Sequence, residues 1–109
     1  MVKQGTIIKI NFNPQSGHEQ AGYRPAVVIS NDFFNQKAQL SIVCPITNTK
    51  NHFPLHIPLD NRTKTTGVIL CEHIKSLDLN SRTYQEIEQL PEDILEKVID
   101  IVYAEIEQI

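Results

Sequence analysis

A short polar segment near the N-terminus carries side chains of the kinds that perform acid–base chemistry on a phosphodiester. His18 and Glu19 are adjacent, and Arg24 follows in the same segment. Cleaving an RNA backbone without a metal needs a base for the 2′-hydroxyl, a positive charge for the phosphate and an acid for the leaving oxygen. Imidazole and carboxylate groups transfer protons, and a guanidinium binds phosphate while keeping its charge. The segment is therefore a candidate catalytic site that needs neither a metal nor a cofactor.

The same residues also have an ordinary explanation. Loops lie at the surface and are polar because they are solvated, so most histidines, glutamates and arginines in loops have no catalytic role. Arg24 can lay its aliphatic stem beside Pro25 and pair with a carboxylate. Residue types alone leave both interpretations open.

The segments on either side of this loop have the patterns of β-strands. Residues 7–12 alternate, with Ile8, Ile10 and Phe12 on one apolar face, and residues 26–29 form a short apolar run typical of a buried strand. Further strands are expected at residues 40–44, stopped by Pro45, at 55–57 as an edge strand between prolines, at 68–71 continuing toward 77, and at 83–89. Ser30 or Asn31 is expected to cap a single helical turn.

The C-terminal segment has the pattern of an amphipathic helix. Pro91 suits a first helical position, and Glu92 and Asp93 suit a first turn. Apolar residues then recur at three- and four-residue spacing: Ile94, Leu95, Val98, Ile101, Val102, Ile106 and Ile109. This predicts a helix of about five turns. Short strands followed by one helix predict an α+β, mainly β fold, in which a small antiparallel barrel packs against the helix as one domain over residues 1–109.

Charge is unevenly distributed along the chain. The net charge is −3, yet residues 1–82 carry nine basic and five acidic residues, a balance of +4, and residues 83–109 carry one and eight, a balance of −7. A nucleic acid would therefore meet the first 82 residues, although +4 is no basic stripe.

Cys44 and Cys71 lie in apolar runs and are expected to be buried free thiols, and no zinc spacing is present. The absence of a membrane-spanning run and of a signal peptide predicts a cytoplasmic protein.

The order of residues around the polar loop is more specific than their types. Residues 13–30 read NPQSGHEQAGYRPAVVIS, which closely resembles the opening of the MazF/PemK toxins, where G-x-E-Q-x-G-x-R-P precedes an apolar strand. The resemblance continues in the final helix and at four shorter strings: Phe34-Asn35, Pro45-Ile46-Thr47, Thr66-Gly67-Val68 and Ile74-Lys75-Ser76. It therefore covers nearly the whole chain.

This resemblance implies a fold, an activity and partners. It implies an SH3-like antiparallel barrel of the CcdB/PemK type with a C-terminal helix, forming a twofold homodimer. It also implies a toxin that cuts single-stranded mRNA at specific sequences without a metal, leaves a 2′,3′-cyclic phosphate and a 5′-hydroxyl, and so stops translation and growth. The implied partner is an antitoxin whose acidic, extended C-terminal tail fills the RNA groove.

The resemblance also assigns catalytic roles. Arg24 matches the catalytic arginine, and Thr47 matches a catalytic threonine that hydrogen-bonds the scissile phosphate. Glu19 matches an acid that acts as base or orients the arginine, and His18 matches a proton carrier of some PemK-type members. From the residues alone, Thr47 would be assigned to a turn.

One part of the family pattern is missing. PemK-type members use an arginine and an aspartate in the fifth strand, and those places hold Leu70 and Glu72. The triad cannot be carried over whole, although Glu72 remains a candidate. Residues that could contact RNA are Gln20, Tyr23, Asn48 and Glu72, and Phe53 offers a second ring on which a base could stack. Each of these is more often a solvated or core residue.

Two other functions compete. A CcdB-like inhibitor that binds DNA gyrase shares the barrel fold but uses a tryptophan-containing tail, whereas this chain has no tryptophan. A non-catalytic SH3-like interaction module is the third. Incubation with a long single-stranded RNA in EDTA separates these functions.

Overall fold

The computed structural model describes residues 1–12, 22–48 and 53–109. Within these residues the chain forms a seven-stranded sheet and two α-helices. The elements are β1 (Thr6–Asn11), β2 (Tyr23–Val28), α1 (Asp32–Ala38), β3 (Ser41–Thr47), β4 (His56–Pro58), β5 (Val68–Leu70), β6 (Lys75–Leu77), a short 3-10 turn (Leu79–Ser81), β7 (Tyr84–Gln89) and α2 (Glu92–Ile106).

All strand pairs formed by the described residues are antiparallel. The strand order is β4-β5-β3-β2-β1-β7, with β6 pairing against the other end of β3. The expected mainly β, antiparallel fold with a C-terminal helix is confirmed. Strand ladders alone do not close this sheet into a ring in the described part of the chain, so the barrel is open at β4 and β7.

A carboxylate on β7 joins the two ends of the sheet. Glu88 accepts hydrogen bonds from the N–H of Lys64 at 3.1 Å, and from the N–H and hydroxyl of Thr65 at 2.8 Å each. Both partners lie in the loop between β4 and β5. The two ends of the sheet are thus connected by a side chain that accepts hydrogen bonds from loop N–H groups, and not by a β4–β7 ladder.

Two apolar clusters lie on opposite faces of the sheet. The first is covered by α2 and contains Ile7, Val27, Ile29, Cys44, Ile46, Ile69, Cys71, Leu90, Ile94 and Val98. The second contains Val2, Ile8, Ile10, Phe12, Ala26, Val28, Val43, Leu77 and Leu79. The prediction of one apolar face for β1 was therefore incomplete, because Ile7 is fully buried on the α2 side.

Pro45 does not stop β3 at residue 44, as the sequence predicted; the strand continues to Thr47. The β3–β6 ladder ends at Val43 and the β3–β5 ladder begins at Ile46, so Pro45 lies in the gap between them. If the register of the β3–β5 ladder is continued, Leu70 falls opposite Pro45. The Leu70 carbonyl instead accepts a hydrogen bond from the N–H of His73 at 3.1 Å. Because Pro45 has no N–H to donate to Leu70, β5 ends at Leu70. The sequence had predicted that this strand continues toward residue 77, but β6 is a separate strand.

The helices begin as the sequence indicated but differ in length. The Asn31 side chain accepts from the N–H of Phe34 at 2.8 Å, and α1 runs for seven residues rather than one turn. Pro91 directly precedes α2, which spans 15 residues, about four turns rather than five. Ile109 therefore lies beyond the helix and does not extend its buried stripe. Along the described stretches, neither helix has the length and apolarity needed to cross a bilayer.

The two cysteines are free and buried, as expected. Burial raises the pKa of the Cys71 thiol to about 12 and raises that of Cys44 further. Both thiols are therefore protonated at neutral pH and pack as small apolar side chains.

Candidate functional site

Arg24 and Thr47 lie at neighbouring strand ends on one face of the sheet. The β2–β3 register pairs Val28 with Val43 and Ala26 with Pro45, and its continuation sets Arg24 opposite Thr47. Residues that face each other across a ladder direct their side chains to the same face. Arg24 is also opposite Ile10, so this is the face of the second apolar cluster, here called the Arg24 face. Arg24 is exposed and Thr47 is partly exposed, so both can meet a ligand.

Tyr23 is not brought to this face. It neighbours Arg24 along β2 and pairs with Asn11, so alternation directs its ring to the opposite side of the sheet. Its ring is exposed, with the Lys9 ammonium 6.0 Å from the ring centroid. The structure thus separates Tyr23 from Arg24 and Thr47, and its role in RNA binding stays a prediction.

The residues after Thr47 are held by the turn that precedes β5. The Thr66 hydroxyl donates to Asn48 Oδ1 at 3.1 Å. Gly67 has a φ of +116° and packs against the Thr47 carbonyl, where a Cβ would overlap the carbonyl oxygen. Only glycine fits this position without displacing Thr47. The string Thr66-Gly67-Val68 therefore supports the end of β3 that carries Thr47 and Asn48.

Glu72 lies in the turn after β5 and is paired with a histidine from β4. His56 Nε2 is 2.9 Å from Glu72 Oε2, whereas His73 Nε2 is 3.8 Å from the same oxygen. The side chains of His56 and Glu72 are 11% and 26% exposed. The Phe53 ring meets the His56 ring edge-on, with centroids 5.2 Å apart, and Phe53 itself is 46% exposed.

His56 shares the Arg24 face. Thr47 is opposite Val68 on β5, and Leu70, two residues further along β5, is opposite His56 on β4. Since positions two apart on a strand point to the same side, Thr47 and His56 point to one face. The sequence analysis did not identify His56, because a single histidine in an edge strand carries no signal and its partner Glu72 is distant in the chain.

Lys75 is a second cation on this face that sequence analysis did not assign to the site. It pairs with Val43, which belongs to the second cluster, and its ammonium lies 6.0 Å from the centroid of the Phe12 ring. Arg24 and Lys75 give this face the positive charge that a phosphate backbone requires.

Three predicted site residues, His18, Glu19 and Gln20, lie outside the described residues. Within the described part of the chain, no group of three or more histidine, cysteine, aspartate or glutamate side chains is arranged to hold a metal ion.

Comparison with known proteins agrees with this arrangement of strands. A family model described as a PemK-like, MazF-like toxin of type II toxin–antitoxin systems matches residues 3–104. Endoribonuclease PemK from Escherichia coli is 30% identical over 102 residues, which cover 90% of this chain and 77% of that protein.

Solved structures give the same result. The crystal structure of MazF from Deinococcus radiodurans superposes with a TM-score of 0.88 at 34% identity, covering 94% of each chain. A MazE–MazF crystal structure from the same organism superposes with a TM-score of 0.82 at 27% identity, covering 99% of this chain and 97% of that one. These matches do not favour the CcdB-like alternative. The chain therefore belongs to the family of PemK-like, MazF-like toxins of type II toxin–antitoxin systems.

Proposed function

We propose that residues 1–109 act as a single toxin domain that cleaves single-stranded RNA at specific sequences, without a metal, in the cytoplasm. The products are a 2′,3′-cyclic phosphate and a 5′-hydroxyl. The name endoribonuclease, borne by the related PemK, supports this activity. The observation that carries the proposal is the placement of Arg24 opposite Thr47, at adjacent strand ends on one face of the sheet.

The geometry suits stabilisation of charge on phosphate. When the 2′-hydroxyl attacks, negative charge grows on the non-bridging oxygens, and donors fixed beforehand stabilise that charge. The Arg24 guanidinium supplies a fork of N–H donors, and the Thr47 hydroxyl supplies one more from the neighbouring strand. Glu19 serves as base or orients Arg24, and His18 carries a proton, as the family resemblance implies.

The charge distribution directs RNA to the Arg24 face. Residues 83–109 carry eight acidic residues and one basic residue, and six of the acidic residues lie in α2 or directly after it. Helix α2 packs on the first apolar cluster, which is the opposite side of the sheet. A phosphate backbone is therefore repelled from the α2 side and attracted toward Arg24 and Lys75.

Two protein partners are part of the proposal. A second copy of the chain covers the apolar end of α2, where Tyr103, Ile106 and Ile109 are exposed. An antitoxin with an acidic, extended tail occupies the Arg24 face in place of RNA, because its carboxylates pair with the same cations. The MazE–MazF complex to which the chain is similar supports an antitoxin partner.

The test is the product chemistry. Purified protein is incubated with a long single-stranded RNA in EDTA, and fragment ends are analysed by mass spectrometry. We expect discrete fragments with cyclic phosphate and 5′-hydroxyl ends. Intact RNA, or fragments that appear only when magnesium is restored, would refute the proposal, and trapped gyrase–DNA complexes would favour the CcdB-like function.

A further inference from the structure

The side-chain amide of Asn48 is held in one orientation beside the end of β3. The Thr66 hydroxyl donates a hydrogen bond to Asn48 Oδ1 at 3.1 Å, and a Cβ at Gly67 would lie 3.1 Å from the same oxygen. An asparagine amide carries one acceptor oxygen and two N–H donors on its nitrogen. Asn48 is exposed, and because its oxygen is turned toward Thr66, it presents the two Nδ2 donors to a ligand.

This contact lies at the strand ends that carry the proposed phosphate site. Asn48 directly follows Thr47, and Thr66 lies two residues before Val68, which pairs with Thr47 in the β3–β5 ladder. Gly67 packs against the Thr47 carbonyl and the Asn48 amide together. An RNA whose scissile phosphate is bound by Thr47 therefore brings a flanking nucleotide within reach of the Asn48 amide.

A base suits this position better than a second phosphate. Thr65, next to Thr66, donates to the Glu88 carboxylate through its N–H and its hydroxyl at 2.8 Å each. That negative charge repels a further phosphate but not a nucleobase, which is neutral. A phosphate also accepts from any donor, whereas the bases differ in where they carry donors and acceptors. A fixed amide orientation is therefore of use in telling bases apart.

The Nδ2 donors of Asn48 select an acceptor atom on the base. Uracil carries the acceptor O4 where cytosine carries an amino group, and guanine carries the acceptor O6 where adenine carries an amino group. An asparagine whose oxygen and nitrogen are both available can instead bond adenine through N6 and N7. Because the oxygen of Asn48 already accepts from Thr66, the arrangement favours a keto base, which is uracil or guanine.

We propose that Asn48 is a specificity-determining residue, which donates to O4 of uracil or O6 of guanine at one position flanking the cut, and that Thr66 is the positioning residue that fixes its amide. The role of both residues rests on the proposed ribonuclease function. Neither takes part in the chemical step, which belongs to the groups that contact the phosphate.

The experiment measures which nucleotides flank the cut. A long single-stranded RNA with randomised positions is cleaved in EDTA by the parent chain and by variants, and the fragment ends are sequenced. The variants are Asn48→Asp, Asn48→Ala, Thr66→Val and Thr66→Ser. Asn61→Asp and Thr83→Val make the same exchanges at two other exposed positions and are the matched controls. The melting temperature of each variant is measured in parallel.

We expect the parent to prefer uracil or guanine over cytosine or adenine by about tenfold at one flanking position, as one hydrogen bond to a base allows. Asn48→Asp keeps an acceptor for Thr66 but replaces both donors with an acceptor, so the preference should reverse. Asn48→Ala should remove the preference at that position alone. Thr66→Val should weaken it, and Thr66→Ser, which keeps the hydroxyl, should retain it. Both controls should match the parent preference.

Two outcomes would overturn the assignment. One is a nucleotide preference that Asn48→Asp and Asn48→Ala leave unchanged at every flanking position while the parent cuts RNA. The other is a Thr66→Val variant that cuts all sequences more slowly by one common factor, in step with a lower melting temperature, which would make the bond to Asn48 purely structural. If the parent chain cuts no RNA in EDTA, the proposed function fails instead, and the two failures are thereby distinguished.

Discussion

Gly67 packs directly against the carbonyl of Thr47, with a backbone φ of +116°. A Cβ at this position would overlap the Thr47 carbonyl oxygen and lie 3.1 Å from Asn48 Oδ1. The turn before β5 thus sets the position of the strand end that carries the proposed catalytic hydroxyl.

Gly67→Ala is therefore expected to lower both stability and cleavage. The left-handed backbone and the overlap together should cost at least about 2 kcal/mol of unfolding free energy. Gly22→Ala is the control, because Gly22 has a φ of +78° but, among the described residues beyond its chain neighbours, no atom lies within 4 Å of an added Cβ. Urea unfolding should show a smaller loss for that variant, about 1 kcal/mol. Equal losses in the two variants would mean that contact with Thr47 is unimportant.

Thr47 should contribute one donor to the phosphate. Thr47→Val keeps the branched shape but removes the hydroxyl, and we expect cleavage to slow by about a hundredfold. Thr47→Ser keeps the hydroxyl and should remain near the parent rate. Single-turnover cleavage at saturating protein measures both, and a fast Thr47→Val enzyme would remove Thr47 from the site.

Glu88 should make the sheet closure sensitive to acid. Burial raises the pKa of this carboxyl, but hydrogen bonds from Thr65 and Lys64 outweigh it and leave the pKa below its ordinary value of 4.5. A lowered folded-state pKa stabilises the fold above the unfolded-state value, and this contribution is lost as pH falls below about 4.5.

Glu88→Gln removes that titration. The free energy of unfolding of the Glu88→Gln variant should therefore change less between pH 6 and pH 3 than that of the parent. Urea unfolding at each pH measures this difference. Asp60, whose pKa is lowered to about 2 by its hydrogen bonds with Arg62, titrates in both proteins and lies in the same loop. Identical pH dependence in parent and variant would show that Glu88 does not hold this loop.

The exposed C-terminal end of α2 should form the interface between the two copies of the dimer. Ile106 is 71% exposed, and replacing it with lysine would place a charge in the proposed interface. We expect Ile106→Lys to sediment as a monomer at concentrations where the parent is a dimer. Phe33 on α1 has the same exposure, so Phe33→Lys is the matched control and should remain dimeric. Dissociation of the Phe33 variant alone would move the interface to α1.

Local patterns predicted most of the fold. The alternation in residues 7–12, the apolar run at 26–29 and the stripe from Ile94 onward correspond to β1, β2 and α2. The errors arose where tertiary pairing decides the outcome. The gap between two ladders lets β3 pass through Pro45, and α2 ends at Ile106 although the apolar spacing continues to Ile109.

The site was only partly predictable for a related reason. Arg24 and Thr47 carry motif signals, and strand register then places them together. His56 and Lys75 reach the Arg24 face only through pairing with β5 and β3, and these pairings link residues far apart in sequence. A local pattern holds no information about such contacts, so it could not identify the partner of Glu72.

The most direct test of the central claim compares two arginine variants under metal-free conditions. Arg24→Ala and Arg62→Ala remove the same charge, but Arg62 is held by Asp60 and Asp93 at 2.8 Å each, away from the Arg24 face. In EDTA, we predict that Arg24→Ala slows cleavage of single-stranded RNA by at least about a hundredfold while remaining folded, whereas Arg62→Ala cleaves near the parent rate. An Arg24→Ala protein that cleaves as fast as Arg62→Ala would contradict the assignment of this face as the catalytic site.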